Sequence, residues 1–148
     1  MSKIVISIYR LSHFLHKFRL NLFSKFFDYL NRILFGCWIP GSCKIGEKTI
    51  LGYAGLGIVI HNRAKIGNNC HIDQNVTIGG TSKKYEVPLI GDNVYIGAGA
   101  KILGPIKIGN NVVIGANCVV VKDIPEGSLV VGVPGKIIKQ GIKKADYV

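Results

Sequence analysis

The chain has 148 residues, enough for one domain with a packed core, and 48% of them are hydrophobic, which excludes a disordered chain. Nineteen Lys and Arg against eight Asp and Glu leave a net charge of +11, which invites an anionic partner: nucleic acid, anionic lipid or a phosphorylated cofactor. No recognition motif for nucleic acid accompanies the charge, so no nucleic-acid partner is expected. Nor does any apolar run approach the ~20 residues needed to span a bilayer.

Residues 3 to about 35 carry apolar side chains at helical spacing: Leu11, Phe14, Leu15, Phe18, Leu22, Phe26, Leu30 and Ile33. Asn21 or Ser24 is the expected cap of a second helix after a bend. Six cations against Asp28 make residues 1–36 a basic amphipathic segment. Its apolar stripe suits packing on the rest of the chain, on another subunit, or on an anionic membrane surface, and the sequence leaves these open. Arg10, His13, His16, Lys17 and Arg19 interrupt the N-terminal apolar stretch before a signal-peptide core is complete.

Gly36 and Pro40-Gly41 end the helical part, and a repeat takes over. Ile60, Ile66, Ile72 and Ile78, then Ile90, Ile96, Ile102, Ile108, Ile114 and Val120 recur at intervals of six or twelve. A small residue often follows the head, as at Gly67, Gly91 and Gly109, where a corner conformation is expected to favour glycine. A second compact or apolar residue follows four places after each head, as at Ala64, Cys70, Val76 and Cys118. A period of six fits a short strand and a turn; three units close one triangular coil of 18 residues, and each coil buries its heads only against its neighbours. The expected architecture is an all-β parallel β-helix of hexapeptide repeats over 37–132, preceded by the helical segment 1–36 and followed by a basic tail 133–148. The tail has a helical cast over 136–145. Cys43, Cys70 and Cys118 fall at the small interior position and no CxxC pair exists, so core packing in a reducing compartment is expected.

Two interruptions stand out. From Leu51 to Ile60 the count slips by three through a glycine-rich stretch, which predicts a bulge ejected from the wall just before His61. Residues 79–89 break the pattern again and predict an extruded loop, where binding chemistry is usually placed. An imidazole is the natural base for a hydroxyl at neutral pH, which singles out His61 over His71. Only these two histidines lie in the repeat, so no metal is expected there.

Gly57-Ile58-Val59, Val76-Thr77-Ile78-Gly79-Gly80-Thr81, Ile96-Gly97-Ala98-Gly99-Ala100-Lys101-Ile102-Leu103-Gly104 and Val130-Val131-Gly132-Val133-Pro134 resemble the hexapeptide-repeat acetyltransferases, serine acetyltransferases among them. The resemblance covers about 39–139. It implies a left-handed coil, acetyl-CoA as co-substrate and a homotrimer with sites between subunits. It implies that Gly79, Gly80 and Thr81 line the pantetheine arm, that Ala98 and Ala116 offer backbone groups to its amides, and that Lys122, Lys136 and Lys139 meet the phosphates.

The family's catalytic His falls on Tyr53, its orienting Asp on Trp38, and its Arg-His before Pro88 is replaced by Glu86-Val87. Short polysaccharide-locus relatives carry a glycine-rich bulge leading into Val-Ile-His, as His61 stands here. His61 is therefore the expected general base, with Tyr53 and Glu86 meeting the acceptor. The loss of the Arg-His pair points to a sugar hydroxyl of a surface polysaccharide precursor; serine is the alternative, and a scaffold without chemistry the third. The expected place is cytoplasmic, at most peripheral at the inner membrane face.

Overall fold

A computed structural model of the chain describes residues 2–148. Two helices, α1 (Ser2–Lys17) and α2 (Asn21–Phe35), precede a three-walled prism. Wall one is β1 (Lys44–Ile45), β4 (Lys65–Ile66), β7 (Leu89–Ile90) and β10 (Lys107–Ile108). Wall two is β2 (Ile50–Leu51), β5 (His71–Ile72), β8 (Tyr95–Ile96), β11 (Val113–Ile114), β13 (Ser128–Val131) and β14 (Lys136–Gln140). Wall three is β3 (Val59–Ile60), β6 (Thr77–Gly79), β9 (Lys101–Leu103) and β12 (Val119–Val120). Every pairing is parallel except that of β13 with β14. This is a parallel β-helix of hexapeptide repeats, consistent with the left-handed coil of the family resemblance.

The repeat dictates the core. All ten heads from Ile60 to Val120 are buried to 5% exposure or less, and they stack in register: Ile60 on Ile78, Ile78 on Ile102, Ile102 on Val120. The second compact positions Ala64, Cys70, Val76, Val94, Ala100, Val112 and Cys118 are fully buried between the heads. All four cysteines are free and buried; burial pushes the Cys43 thiol up to about 12.

The slip of three residues is a 3₁₀ turn at Gly52–Gly55 in which Tyr53 and Ala54 both adopt left-handed backbone. It sits on the edge between walls two and three. The loop after Gly79 leaves the edge between walls three and one. Each interruption lengthens the coil that contains it without changing which residues are heads. Ile45 therefore stacks on Ile66, 21 residues on, and Ile66 on Ile90, 24 residues on.

The corners differ from expectation. Gly67, Gly91 and Gly109 do not carry the left-handed residue; Asn69, Asn93 and Asn111, two places later, do. The glycines are there because coils touch: a Cβ on Gly67 would lie 2.4 Å from the Gly91 carbonyl oxygen.

The helices also differ. α2 starts at Asn21 with Leu20 in the cap position and no side-chain cap, and ends on Gly36 in left-handed geometry. Its buried stripe is polar: Ser24, Asp28 and Asn31. Ser12 of α1 donates to Asp28, the Gly41 N–H donates to the same carboxylate oxygen at 2.9 Å, and Asn31 Nδ2 donates to the Val5 carbonyl at 3.3 Å. Burial holds the Asp28 carboxyl above its ordinary range. The stripe at Leu11, Phe14, Phe18, Leu22, Phe26 and Ile33 faces outward instead.

α1 closes the lower end of the prism with Val5 and Tyr9. The Tyr9 hydroxyl donates to the Cys43 carbonyl at 2.9 Å and accepts from the Ile45 N–H at 3.0 Å, and Arg10 donates to the Ile45 and Gly46 carbonyls. At the other end the expected helical tail is a strand. β14 returns antiparallel along β13, and only Lys144–Asp146 form a 3₁₀ turn. The repeat domain therefore runs beyond residue 132 and takes in most of the tail.

Gly67→Ala is expected to destabilise the fold by roughly 1–3 kcal/mol through overpacking between coils. Chemical denaturation compared with Lys65→Ala, an exposed change two residues earlier, measures it.

Candidate active site

His61 is the first residue past β3, on the edge between walls three and one. Its N–H donates to the Ile78 carbonyl at 2.8 Å, which fixes the backbone beside the Gly79-Gly80 turn. The imidazole lies over Gly80: a Cβ there would come within 3.8 Å of His61 Cδ2 and 3.3 Å of Val87 Cγ1. The tighter of these contacts is to Val87, so glycine at 80 makes room for the loop side chain that packs beside the ring. Nδ1 accepts the Arg63 N–H at 3.1 Å, an arrangement that leaves Nε2 as the protonated nitrogen of the neutral ring. Partial burial lowers the imidazole pKa below its ordinary 6.5, and the Arg63 guanidinium lowers it further.

Two hollows flank this edge. One, of about 380 Å³, runs under His61 along the outer face of wall three, with Trp38, Val59 and Thr77 as its floor. The other, of about 490 Å³, lies on wall one between Lys44, Lys65, Arg63, Tyr85 and Glu86. Arg63 stacks on the Tyr85 ring at 4.1 Å from its centroid and donates to the Tyr85 carbonyl, so it pins the base of the extruded loop. Glu86 lies in this hollow together with three cations, Lys44, Arg63 and Lys65.

The other expected residues divide. Gly79, Gly80 and Thr81 lie on the His61 edge. Gly104, in left-handed backbone, lies beside Thr81, and its N–H donates to the Gly79 carbonyl at 2.9 Å. Lys122 follows the wall-three head Val120 and lies on the same edge, exposed. Ala98 and Ala116 lie on the opposite edge of wall three, and the Ala98 carbonyl already accepts the Asn117 N–H at 2.8 Å. Lys136 and Lys139 lie on β14 of wall two, paired with Val131 and Leu129. Tyr53, on the bulge, sits beside Leu34, Phe35 and Leu56, across wall three from His61. A single chain thus does not bring Tyr53, Ala98, Ala116, Lys136 and Lys139 to His61.

Sequence reasoning missed one cluster. On the outer face of wall two, His71 Nε2 is 3.1 Å from Asp73 Oδ1, and the Tyr95 hydroxyl donates to Asp73 Oδ2 at 2.6 Å. His71 and Tyr95 are register partners, and their rings meet edge to face at 5.4 Å. The hydrogen bond to Asp73, with burial, pushes the Tyr95 phenol up to about 12. With Nε2 turned to the carboxylate, the His71 ring has Nδ1 left for proton transfer. No group of three or more His, Cys, Asp or Glu able to hold a metal exists among the described residues.

Residues 88–122 match the family described as Bacterial transferase hexapeptide (six repeats). The chain is 45% identical over 132 residues to a serine acetyltransferase of Staphylococcus epidermidis, covering 88% of this chain and 62% of that protein. Its structure matches a serine acetyltransferase of Neisseria gonorrhoeae with a TM-score of 0.88 at 38% identity, over 94% of this chain and 54% of the other. It also matches one of Brucella abortus in complex with coenzyme A, with a TM-score of 0.88 at 35% identity, over 91% and 54%. The chain thus spans about three fifths of that curated relative and about half of those solved chains.

The His61 ring is expected to titrate below 6.5 in an NMR pH titration, and Arg63→Ala is expected to move the midpoint upward by removing the neighbouring cation. A midpoint at or above 6.5 in the unsubstituted protein contradicts this placement.

Proposed function

The chain is a hexapeptide-repeat protein similar to the serine acetyltransferases, and on that footing we propose that it transfers an acetyl group from acetyl-CoA to the hydroxyl of L-serine. The observation that carries the proposal is the position of His61, with its ring beside the glycine turn 79–80, lining the hollow along wall three on the edge next to a second hollow lined by Arg63 and Glu86.

The sugar acceptor expected from the loss of Arg-His before Pro88 gives way to serine for two reasons. The similar proteins are named for serine. A free amino acid also carries one charge of each sign, and the cleft offers Lys44, Arg63 and Lys65 to its carboxylate and Glu86 to its ammonium.

Acetyl-CoA supplies the activated thioester. The side-chain-free turn Gly79-Gly80 gives its arm room beside His61, and Lys122 offers a point charge to its phosphates on the same edge. In the mechanism His61 Nδ1 exchanges the Arg63 N–H for the serine hydroxyl and takes its proton as the oxygen attacks the thioester carbonyl. The imidazolium then returns that proton to the departing thiolate, so an ester and a free thiol leave. Partial burial and the Arg63 guanidinium lower the ring's pKa, which favours its neutral form. Ala98, Ala116, Lys136 and Lys139 enter the same site only from a neighbouring copy, which is the arrangement a homotrimer provides.

A second base is favoured by one observation: His71, unlike His61, has a carboxylate partner. In that reading Asp73 orients the ring and wall two carries the chemistry across a subunit boundary.

Release of free thiol from acetyl-CoA tests all of this, with L-serine and a panel of sugars as acceptors. His61→Ala is expected to lower kcat by ~10²–10⁴-fold, with His71→Ala close to the unsubstituted protein. The converse result installs His71 as the base. Turnover with a sugar and not with serine returns the acceptor to the polysaccharide class. Absence of both turnover and acetyl-CoA binding identifies a scaffold without chemistry.

A further inference from the structure

The helical hairpin is built inside out. The buried stripes of α1 and α2 contain Ser12, Ser24, Asp28 and Asn31, while Phe14, Phe18, Leu22, Phe23, Phe26 and Ile33 are between 56% and 80% exposed. A soluble surface seldom presents so many large apolar side chains on two adjoining helices unless something covers them.

The charge decides what the cover is. Asp28 is the single acidic residue among the first 46, and it is buried and tied to Ser12 and Gly41. The exposed side of the hairpin therefore carries Lys3, Lys17, Arg19, Lys25 and Arg32 with no carboxylate among them. A second copy laid on this face would set these cations against their own kind. An acidic bilayer surface takes both parts at once: the rings and aliphatic chains enter the headgroup boundary, and the long basic side chains reach the phosphates. Neither helix is long and apolar enough to cross a membrane, so the contact is one of lying on the surface.

We propose that the exposed face of the α1–α2 hairpin binds anionic lipid and holds the β-helix against a membrane. The proposal is independent of which hydroxyl the chain acetylates.

Cosedimentation of the full chain with vesicles of phosphatidylglycerol and phosphatidylcholine, against vesicles of phosphatidylcholine alone, tests it. Light scattering on the same samples without lipid reports self-association. The chain is expected to pellet with the acidic vesicles and to be released as salt rises. The double change Lys17→Glu/Lys25→Glu is expected to weaken binding by at least ~10-fold, since each basic residue near an acidic surface contributes about a factor of five. Phe23→Ser/Phe26→Ser is expected to weaken it at unchanged charge. All four positions are exposed, so circular dichroism and thiol release are expected to stay as in the unsubstituted protein. Chain left in the supernatant with acidic vesicles overturns the proposal, as does equal binding to neutral vesicles. Phe23→Ser/Phe26→Ser breaking up an oligomer without affecting lipid binding also overturns it, and assigns the face to a second copy.

Discussion

Everything in this molecule depends on one contact repeated up the prism: a β-branched head residue standing on the head one coil below, with the flanking backbone bonded coil to coil. Ile60, Ile78, Ile102 and Val120 form one such column, and Ile72, Ile96, Ile114 and Val130 another. Each strand is only two to five residues long and would not hold alone. Because each coil sees only its neighbours, the walls tolerate an ejected segment wherever the heads before and after stay in phase. Both interruptions use that freedom: the bulge on one edge of wall three, and the loop 79–89 beside His61 on the other.

The columns were legible because the ten heads from Ile60 to Val120 are all Ile or Val at intervals of six or twelve. The corners were legible in place but not in cause. Gly67 and Gly91 are required by the nearness of the next coil, a contact between residues 24 apart in sequence, while the positive φ belongs to Asn69 and Asn93. The hairpin was legible as two amphipathic helices, yet the stripe that faces inward is the polar one. Hydrophobic periodicity says that a stripe exists; whether it is covered depends on the partner surface, and here Ser12, the Gly41 amide and the Val5 carbonyl select Asp28 and Asn31 instead. β14 escaped notice because all five of its residues are exposed, so Lys136–Gln140 shows no alternation to read.

The candidate site was half legible. His61 beside Gly79 and Gly80 follows from their spacing of 18, the length of an uninterrupted coil. The triad of His71, Asp73 and Tyr95 does not, because the extruded loop makes that coil 24 residues long. With 18, His71 would have faced Leu89. A loop thus sets which side chains meet on a wall it does not touch. The same geometry separates Ala98 and Ala116 from the glycine turn across the width of wall three.

A β-helix has two open ends, and each is a ladder of unpaired backbone groups above a ring of apolar heads. Left bare, the lower end would accept the upper end of another prism and go on accepting, as growing fibres do. Tyr9 and Arg10 occupy that ladder: one hydroxyl takes both a carbonyl and an amide of the first coil, and one guanidinium takes two more carbonyls. The helix that presents a basic, greasy face to the outside is therefore also the stopper that keeps the coil from polymerising end to end.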